Sequence, residues 1–431
     1  MRETFDLLRN ERRARTFFLA LVQSALGTGA GYIALLLLAE DRFDSTWSIS
    51  LVLLADLIPA MLLGPVFGAV ADRWSRKRCA IFGDVLRVVA FGGIALFDSY
   101  AAMIGFAVLA GTGTAIFTPS VLASLPGVID DERRLPAASA LYGVVADLGF
   151  TVGPLVAAIV LALSDPETLV WVNAASFAMS VVLLVPLSFG RTPAKSGDIR
   201  RSLLGEARDG LRLTTRMRAI RVVLLASGAA MFCVGIFNVA ELFFVTETLD
   251  ASNAGFGVLV AIFGVGFIGG SLIGSKGGPM PHLKRHFLAG LLVLAAGFAA
   301  MGLSDSYLLA AVTFAIAGFG NGLVLMYERL LIYGVFGDTL VGRVFGIKDA
   351  LTAWAFGIAF LFSGALLTAL GPGELILIAG GIGVVISSIA AVALRSEWSE
   401  PDGGELVDGA AVGLPMPELG ASTSVVARQD S

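Results

Sequence analysis

The chain has 431 residues, of which 56% are hydrophobic and only 15% charged, with a formal net charge of −4. A water-soluble domain of this length needs more charge to cover its surface, so the composition excludes soluble classes and leaves a polytopic membrane protein. The basic residues stand in short clusters between apolar stretches, with no basic domain, which excludes nucleic acid as a partner.

Apolar runs long enough to cross a bilayer as helices, about 20 residues each, fall into two sets of six. The first lies at 16–38, 48–70, 79–97, 100–122, 138–162 and 168–189, the second at 221–245, 255–275, 286–304, 307–330, 343–368 and 374–394. The first run exceeds the ~7–15 apolar residues of a signal-peptide core and is expected to be retained as a span. The bilayer centre holds no water to satisfy backbone groups, so each run is expected to be helical. The expected fold class is an all-α integral membrane protein with twelve transmembrane helices.

Charge alternates with these spans. Arg2, Arg9, Arg12, Arg13 and Arg15 precede span 1, the cluster at 73–78 follows span 2, and Arg133 and Arg134 follow span 4. Arg191, Lys195, Arg200, Arg201, Arg208, Arg212, Arg216 and Arg218 fill the middle loop, and Lys276, Lys284 and Arg285 a later one. The intervening segments carry Glu40, Asp41, Asp44, Asp98, Asp165, Glu167, Glu247, Asp250, Asp305 and Glu374, with Arg42 as their one cation. The positive-inside rule then places both termini in the cytoplasm, in the cell membrane. The expected division is a six-helix half at 1–189, a cytoplasmic linker at 190–218, a second half at 219–394 and a disordered acidic tail at 395–431. Within the linker, 203–213 has the pattern of a short amphipathic surface helix, a plain polar linker being the alternative. The halves echo one another: V-I-D-D-E-R-R-L precedes span 5 as V-F-G-D-T-L-V-G-R-V-F-G precedes span 11.

Residues 64–78, G-P-V-F-G-A-V-A-D-R-W-S-R-K-R, close span 2 with Gly64 and Gly68 and turn at once into charge. Small residues four apart let helices pack closely. Gly68, Asp72, Arg73, Arg76 and Lys77 spell G-x-x-x-D-R-x-x-R-K. Gly149, Gly153 and Pro154 in span 5 spell part of G-x-x-x-G-P-x-x-G-G, with Ala157 and Ala158 at the last two glycines. Together with L-L-R-N-E-R-R-A-R-T-F before span 1, Asp84-x-x-Arg87 in span 3 and G-R-V-F-G at 342–346, the chain resembles the major facilitator superfamily. Within it the pattern is similar to the macrolide-efflux and enterobactin-exporter-like branch, which often carries an acid after the span 1 glycine; here Thr28 follows Gly27.

The resemblance implies the major facilitator fold, two pseudo-symmetric six-helix halves with a site near the midplane between them. It also implies that Asp72, Arg73 and Arg76 latch the cytoplasmic side shut. A cation such as Arg73 at a helix C-terminus and an acid such as Asp72 facing a helix N-terminus are both favoured by the helix dipole. The plainer alternative is that these cations only set topology.

A carboxylate at the centre of a spanning helix costs about 2.5–3.5 kcal/mol unless paired or facing water, so each such acid is a candidate site. Asp56 in span 2 and Asp147 in span 5 lie nearest the midplane, and Glu241, with Asn238 one turn earlier, lies in the outer part of span 7. Asp147, just before the glycine-rich stretch, is the first candidate for a proton or cationic-substrate site; a carboxylate satisfied by a neighbouring helix is its alternative. Asp84 and Arg87 share a helix face and are expected to pair with each other or with the motif loop. Glu328, Arg329, Lys348 and Asp349 are expected to form a structural or gating network. Trp354, with Phe356 and Phe360, is a candidate pocket lining, against packing or lipid contact.

Cys79 and Cys233 read as packing residues. No metal-ligand spacing, Ser/His/Asp arrangement or G-x-x-x-x-G-K-[ST] motif is present, and no cofactor is expected. The expected function is secondary active transport: proton-coupled efflux of an amphipathic small molecule such as a drug, macrolide or siderophore, by a monomer in the lipid bilayer. Uptake, or translocation of a lipid or siderophore, is the alternative within transport; a membrane enzyme or a sensor is the alternative outside it.

Overall fold

A computed structural model describes residues 7–43, 45–73, 75–129, 131–189, 211–212, 214–215, 217–275 and 277–398, without the side chains of 46, 63–73, 132 and 337–343. Most of the 203–213 segment, and the tail beyond 398, lie outside the described residues. The helices are α1 Arg12–Phe43, α2 Thr46–Arg73, α3 Arg76–Leu96, α4 Tyr100–Val128, α5 Leu135–Leu163 and α6 Pro166–Leu184. They continue with α7 Arg218–Phe243, which runs on as a π-helical turn Phe244–Thr248, then α8 Asn253–Gly274, α9 Met280–Gly302, α10 Tyr307–Leu366 and α11 Pro372–Ala393. No strand occurs among the described residues.

Eleven described segments are long and apolar enough to cross a membrane. Two of them, Tyr307–Phe336 and Val344–Leu366, are arms of α10. Helical conformation persists over its 60 residues, yet both ends meet the same end of the bundle. Tyr307 Oη donates to Gly255 O at 2.7 Å near the start of α8, and Gly364 lies against Ser50 and Trp47 at the start of α2. The helix therefore doubles back between its arms, which correspond to the expected spans 10 and 11, with helical conformation carried through the turn between them. The span expected at 48–70 lies within α2, whose apolar segment with described side chains is Trp47–Leu62.

The two halves are wired alike. In the first, α1 packs on α5 and α6, α3 on α4 and α6, and α2 on α4. In the second, α7 packs on the second arm of α10 and on α11, α9 on the first arm and on α11, and α8 on the first arm. Two antiparallel pairs join the halves, α5 with α8 and α2 with the second arm of α10.

Helix ends show why the chain turns where it does. At the end of the bundle opposite the termini, here the far end, Ser99, Asp165, Ser252 and Ser306 each accept a hydrogen bond from the amide three residues on. These caps satisfy donors left open in the first turn. At the terminal end, cations meet the carbonyls of helix C-termini. Lys77 Nζ donates to Val185 O, the C-cap of α6, at 2.6 Å, and Lys284 Nζ donates to Leu394 O, the C-cap of α11, at 3.0 Å. The same bond thus recurs at equivalent places in the two halves. Arg42, the lone far-end cation in the sequence pattern, serves α3: its Nη1 donates to Ile94 O at 2.8 Å and Phe97 O at 3.2 Å, and its Nη2 pairs with Asp98 at 3.2 Å.

Backbone contact between α1 and α5 sets the first half. A Cβ added to Gly29 would stand 2.0 Å from Gly149 O and 3.1 Å from Gly153 Cα. Gly29→Val is expected to lower stability by about 1–3 kcal/mol through overpacking, read as a lower melting temperature of detergent-purified protein. The Thr168 amide that caps onto Asp165 holds its carboxyl below the usual carboxylate range. A depressed value in the fold stabilises above the ordinary carboxylate range, and that stabilisation is lost as pH falls through the depressed value. Asp165→Ala is therefore expected to lower the melting temperature at neutral pH, with the difference from the parent shrinking in acid.

Candidate functional site

The glycine-rich part of α5 has two working faces. Gly149 and Gly153 meet α1 at Gly29. Thr151, Pro154 and Ala158, spaced along one helical stripe, meet α8. Thr151 Oγ1 donates to Gly264 O at 3.3 Å across the seam, and the empty Cβ position of Gly257 lies 3.0 Å from the Ala158 Cβ. Ala158, which departs from the expected glycine pattern, is thus received by a glycine on the partner helix.

Asp147 lies one turn before Thr151 on the same stripe. Thr151 is only 5% exposed, and Pro154 and Ala158 are also buried, whereas Asp147 is exposed. The described contacts between α5 and α8 thus run over the far part of the seam, and Asp147 stands exposed one turn nearer the terminal end. Arg329, exposed on the first arm of α10, lies within electrostatic reach of that carboxylate.

Glu241 occupies a different place. It is 3% exposed on α7, and it makes no ion pair among the described residues. Tyr32 of α1 lies within electrostatic reach, and its buried Oη has no hydrogen-bond partner. Asn238, one turn before Glu241, is half-buried. The structure thus sets Glu241 opposite the other half and apart from Asp147.

Asp56, half-buried on α2, belongs to a third group. Asp84 and Arg87 of α3 form an ion pair with 0% and 4% of their side chains exposed. The Arg87 guanidinium lies 4.1 Å from the ring centre of Phe117 on α4 and 4.2 Å from that of Phe177 on α6. Desolvated cation–π contacts of this kind contribute about 2 kcal/mol. Asp56 is within electrostatic reach of Arg87. On α10, Glu328 is 1% exposed, with Ser227, Lys348, Asp349 and Arg329 around it; Lys348 pairs with Asp349 at 3.5 Å.

The other expected site residues divide. Arg76 Nη1 donates to Ala123 O near the end of α4 at 2.6 Å, so this bond and that of Lys77 tie helix ends within their own half. Gly64, Gly68, Asp72 and Arg73 have side-chain positions outside the described residues. Trp354 does not join Phe356 and Phe360. It is 52% exposed, on a stripe with exposed Ile358, Leu361 and Phe362, while Phe360 is buried and Phe356 packs against Gly235 of α7. Tyr32 and Thr151 escaped sequence reasoning. The available signals were a polar hydroxyl within an otherwise apolar span for Tyr32, and a position between two motif glycines for Thr151.

Residues 16–347 match the Major Facilitator Superfamily, and the chain belongs to that family of membrane transporters. Its relatives include the multidrug efflux pump Tap of Mycobacterium tuberculosis, 23% identical over 84% of this chain and 90% of the pump. Macrolide efflux protein A of Streptococcus pyogenes is 21% identical over 83% of this chain and 90% of its own length. Among solved structures, the nucleoside transporter NupG superposes with a TM-score of 0.68 at 14% identity, over 90% of this chain and 100% of that one. A bacterial homologue of the lysosomal transporter Spinster, in an inward-facing, unoccupied conformation, gives a TM-score of 0.67 at 15% identity, over 90% of this chain and 94% of that one. These structural likenesses define the fold.

The Gly257–Ala158 contact makes the closed part of the seam testable. Gly257→Val is expected to disfavour the closed seam by about 1–3 kcal/mol, a shift of roughly 5- to 150-fold in the two-state ratio. Spin labels at Leu163→Cys and Leu308→Cys, both exposed at the far end, should report a longer distance in that variant.

Proposed function

We propose that the chain exports an amphipathic, positively charged small molecule from the cytoplasm in exchange for protons, by alternating access of two six-helix halves. The observation that carries this reading is the α5–α8 seam, with Thr151 bonded across its far part and Asp147 exposed one turn nearer the terminal end. With both termini in the cytoplasm, as the distribution of arginine and lysine supports, we read the seam as open to the cytoplasm at Asp147 and closed on the outer side. Asp147 then meets a cationic substrate or a proton from inside, near Arg329. Glu241 and Asp56 are reached as the halves rock, with Asn238 beside the former. The efflux activity named for Tap and macrolide efflux protein A supports the direction.

In the same scheme the halves are 1–189 and 219–394, joined by the 190–218 linker and followed by a cytoplasmic tail at 395–431. Each transporter works as a monomer in the cytoplasmic membrane. Arg76 and Lys77 stiffen the first half, and Asp72 and Arg73 supply the latch that forms when the cytoplasmic side closes. One proton entering down a potential of about 100 mV supplies about 2.3 kcal/mol, enough for a substrate gradient of roughly 50-fold at about 1.4 kcal/mol per decade.

Transport into inverted membrane vesicles across a panel of amphipathic compounds, driven by an imposed proton gradient, tests the proposal. Asp147→Asn and Glu241→Gln are each expected to lower proton-driven accumulation at least about tenfold, within the range for loss of a proton-transfer group. Unchanged accumulation in both variants would remove these acids from the mechanism, and no accumulation of any compound by correctly folded parent protein would remove the export reading.

A further inference from the structure

Arg87 is a full cation held almost out of solvent, and burying an ion costs several kcal/mol unless partners compensate. One carboxylate, Asp84, is already paired with it. A second, Asp56 on α2, lies within its electrostatic reach, and both residues pack on the same stretch of α4: a Cβ added to Gly111 would meet the Asp56 backbone, and one added to Gly113 would stand 2.8 Å from Arg87 Cγ. The Nε donor of its guanidinium is buried and unused, so the fork is not saturated by Asp84. Its plane is held between Phe117 and Phe177, contacts that restrain the guanidinium between two rings without using any of its five donors. Ser180 of α6 stands beside Asp84 as its other polar neighbour.

Among the described residues, Arg87 is the cation within electrostatic reach of Asp56; Arg76, Lys77 and Arg78 stand in the first turn of α3 at the terminal end. The helices against α2 and α3 are α1, α4, α6 and the second arm of α10, with slight contact to α7. In α4 the sole ionisable side chain is Tyr100 at the far end, and in α6 it is Glu167 in the first turn. α1 brings its ionisable groups near its ends, apart from Tyr32, which lies by Glu241. The second arm of α10 brings Lys348 and Asp349, which pair with each other, and α7 brings Arg218 and Arg221 in its first turn, Cys233 and Glu241. Two carboxylates therefore share one cation.

We propose that Arg87 is a positioning residue for Asp56: caged between two phenylalanine rings, it divides its ion pair between Asp84 and Asp56 according to whether Asp56 is empty or has taken up a proton or a cationic substrate. When Asp56 is ionised and empty, Arg87 serves both carboxylates, paired with Asp84 and within electrostatic reach of Asp56, as the structure displays. When Asp56 is occupied, Arg87 falls to Asp84 alone. Because Asp56 lies on α2, one of the helices that join the halves, the exchange ties occupancy of the site to the seam between α2 and α10. This inference rests on the proton-exchange reading of the protein's function.

The test uses purified full-length protein in lipid nanodiscs, labelled at Leu163→Cys and Leu308→Cys, with the distance recorded from pH 5 to 9. The parent is expected to change distance with a defined midpoint, and Asp56→Asn to move or flatten that transition. Asp84→Asn with Arg87→Met removes the pair as a unit, which avoids stranding one buried charge; Asp84→Asn with Arg87→Gln, whose amides still hydrogen-bond, serves if the first does not fold. Either is expected to tighten proton binding at Asp56 at least about tenfold, as loss of a nearby opposite charge does, and so raise the midpoint. Arg87→Lys, which keeps the charge, is expected to stay near the parent. A distance independent of pH in the parent would overturn the proton-exchange reading and this inference with it. A parental transition left in place by the double variants, or moved as far by Arg87→Lys, would overturn the role of Arg87 alone.

Discussion

Everything in the first half depends on how closely α5 can approach α1. With Gly29 against the Gly149 carbonyl and the Gly153 Cα, the two backbones touch, and no side chain separates them. In a membrane, where lipid is as apolar as leucine, helices gain little from simple hydrophobic burial and associate through packing at small residues. That contact leaves the opposite stripe of α5 free to work against α8. One helix therefore packs within its own half on one face and meets the other half on the opposite face.

The cations at helix ends complete the logic. Lys77 on the α6 carbonyl and Lys284 on the α11 carbonyl close each half on itself at the terminal end, and Arg42 does comparable work for α3 at the far end. Within each half these bonds tie the helix ends together, and the α5–α8 and α2–α10 pairs join one half to the other. The buried Asp84–Arg87 pair lies inside the first half, and the exposed Asp147 lies beside its junction with the second.

Much of the fold was legible because its determinants are local and repetitive. Span length, charge alternation and the glycine-rich motifs each report on a single segment, and the superfamily they suggested is the one to which the chain belongs. The doubling back of α10 was legible as two apolar spans with a polar stretch between them; the persistence of helical conformation through that stretch was not. The candidate site was half legible. Acids in apolar runs are conspicuous, so Asp56, Asp147 and Glu241 stood out. Which of them is buried, which is exposed and which lies near a cation depends on the rotation of each helix, and sequence spacing does not specify rotation between helices. Trp354 illustrates this: aromatic residues two apart on a helix point to opposite sides, and here one side meets neighbouring helices and the other does not.

The Ala158–Gly257 contact has a consequence for how such proteins diverge. The methyl group and the space that receives it lie on different helices, some hundred residues apart in sequence, while the summed volume at the crossing is what closure requires. The bulk can sit on α5 alone, because a Cβ at Gly257 would meet the Ala158 nitrogen and the Pro154 carbonyl as well as the Ala158 methyl. The two positions are therefore unequal: α5 can lose its methyl and leave only a small gap, whereas α8 cannot gain one without moving a backbone.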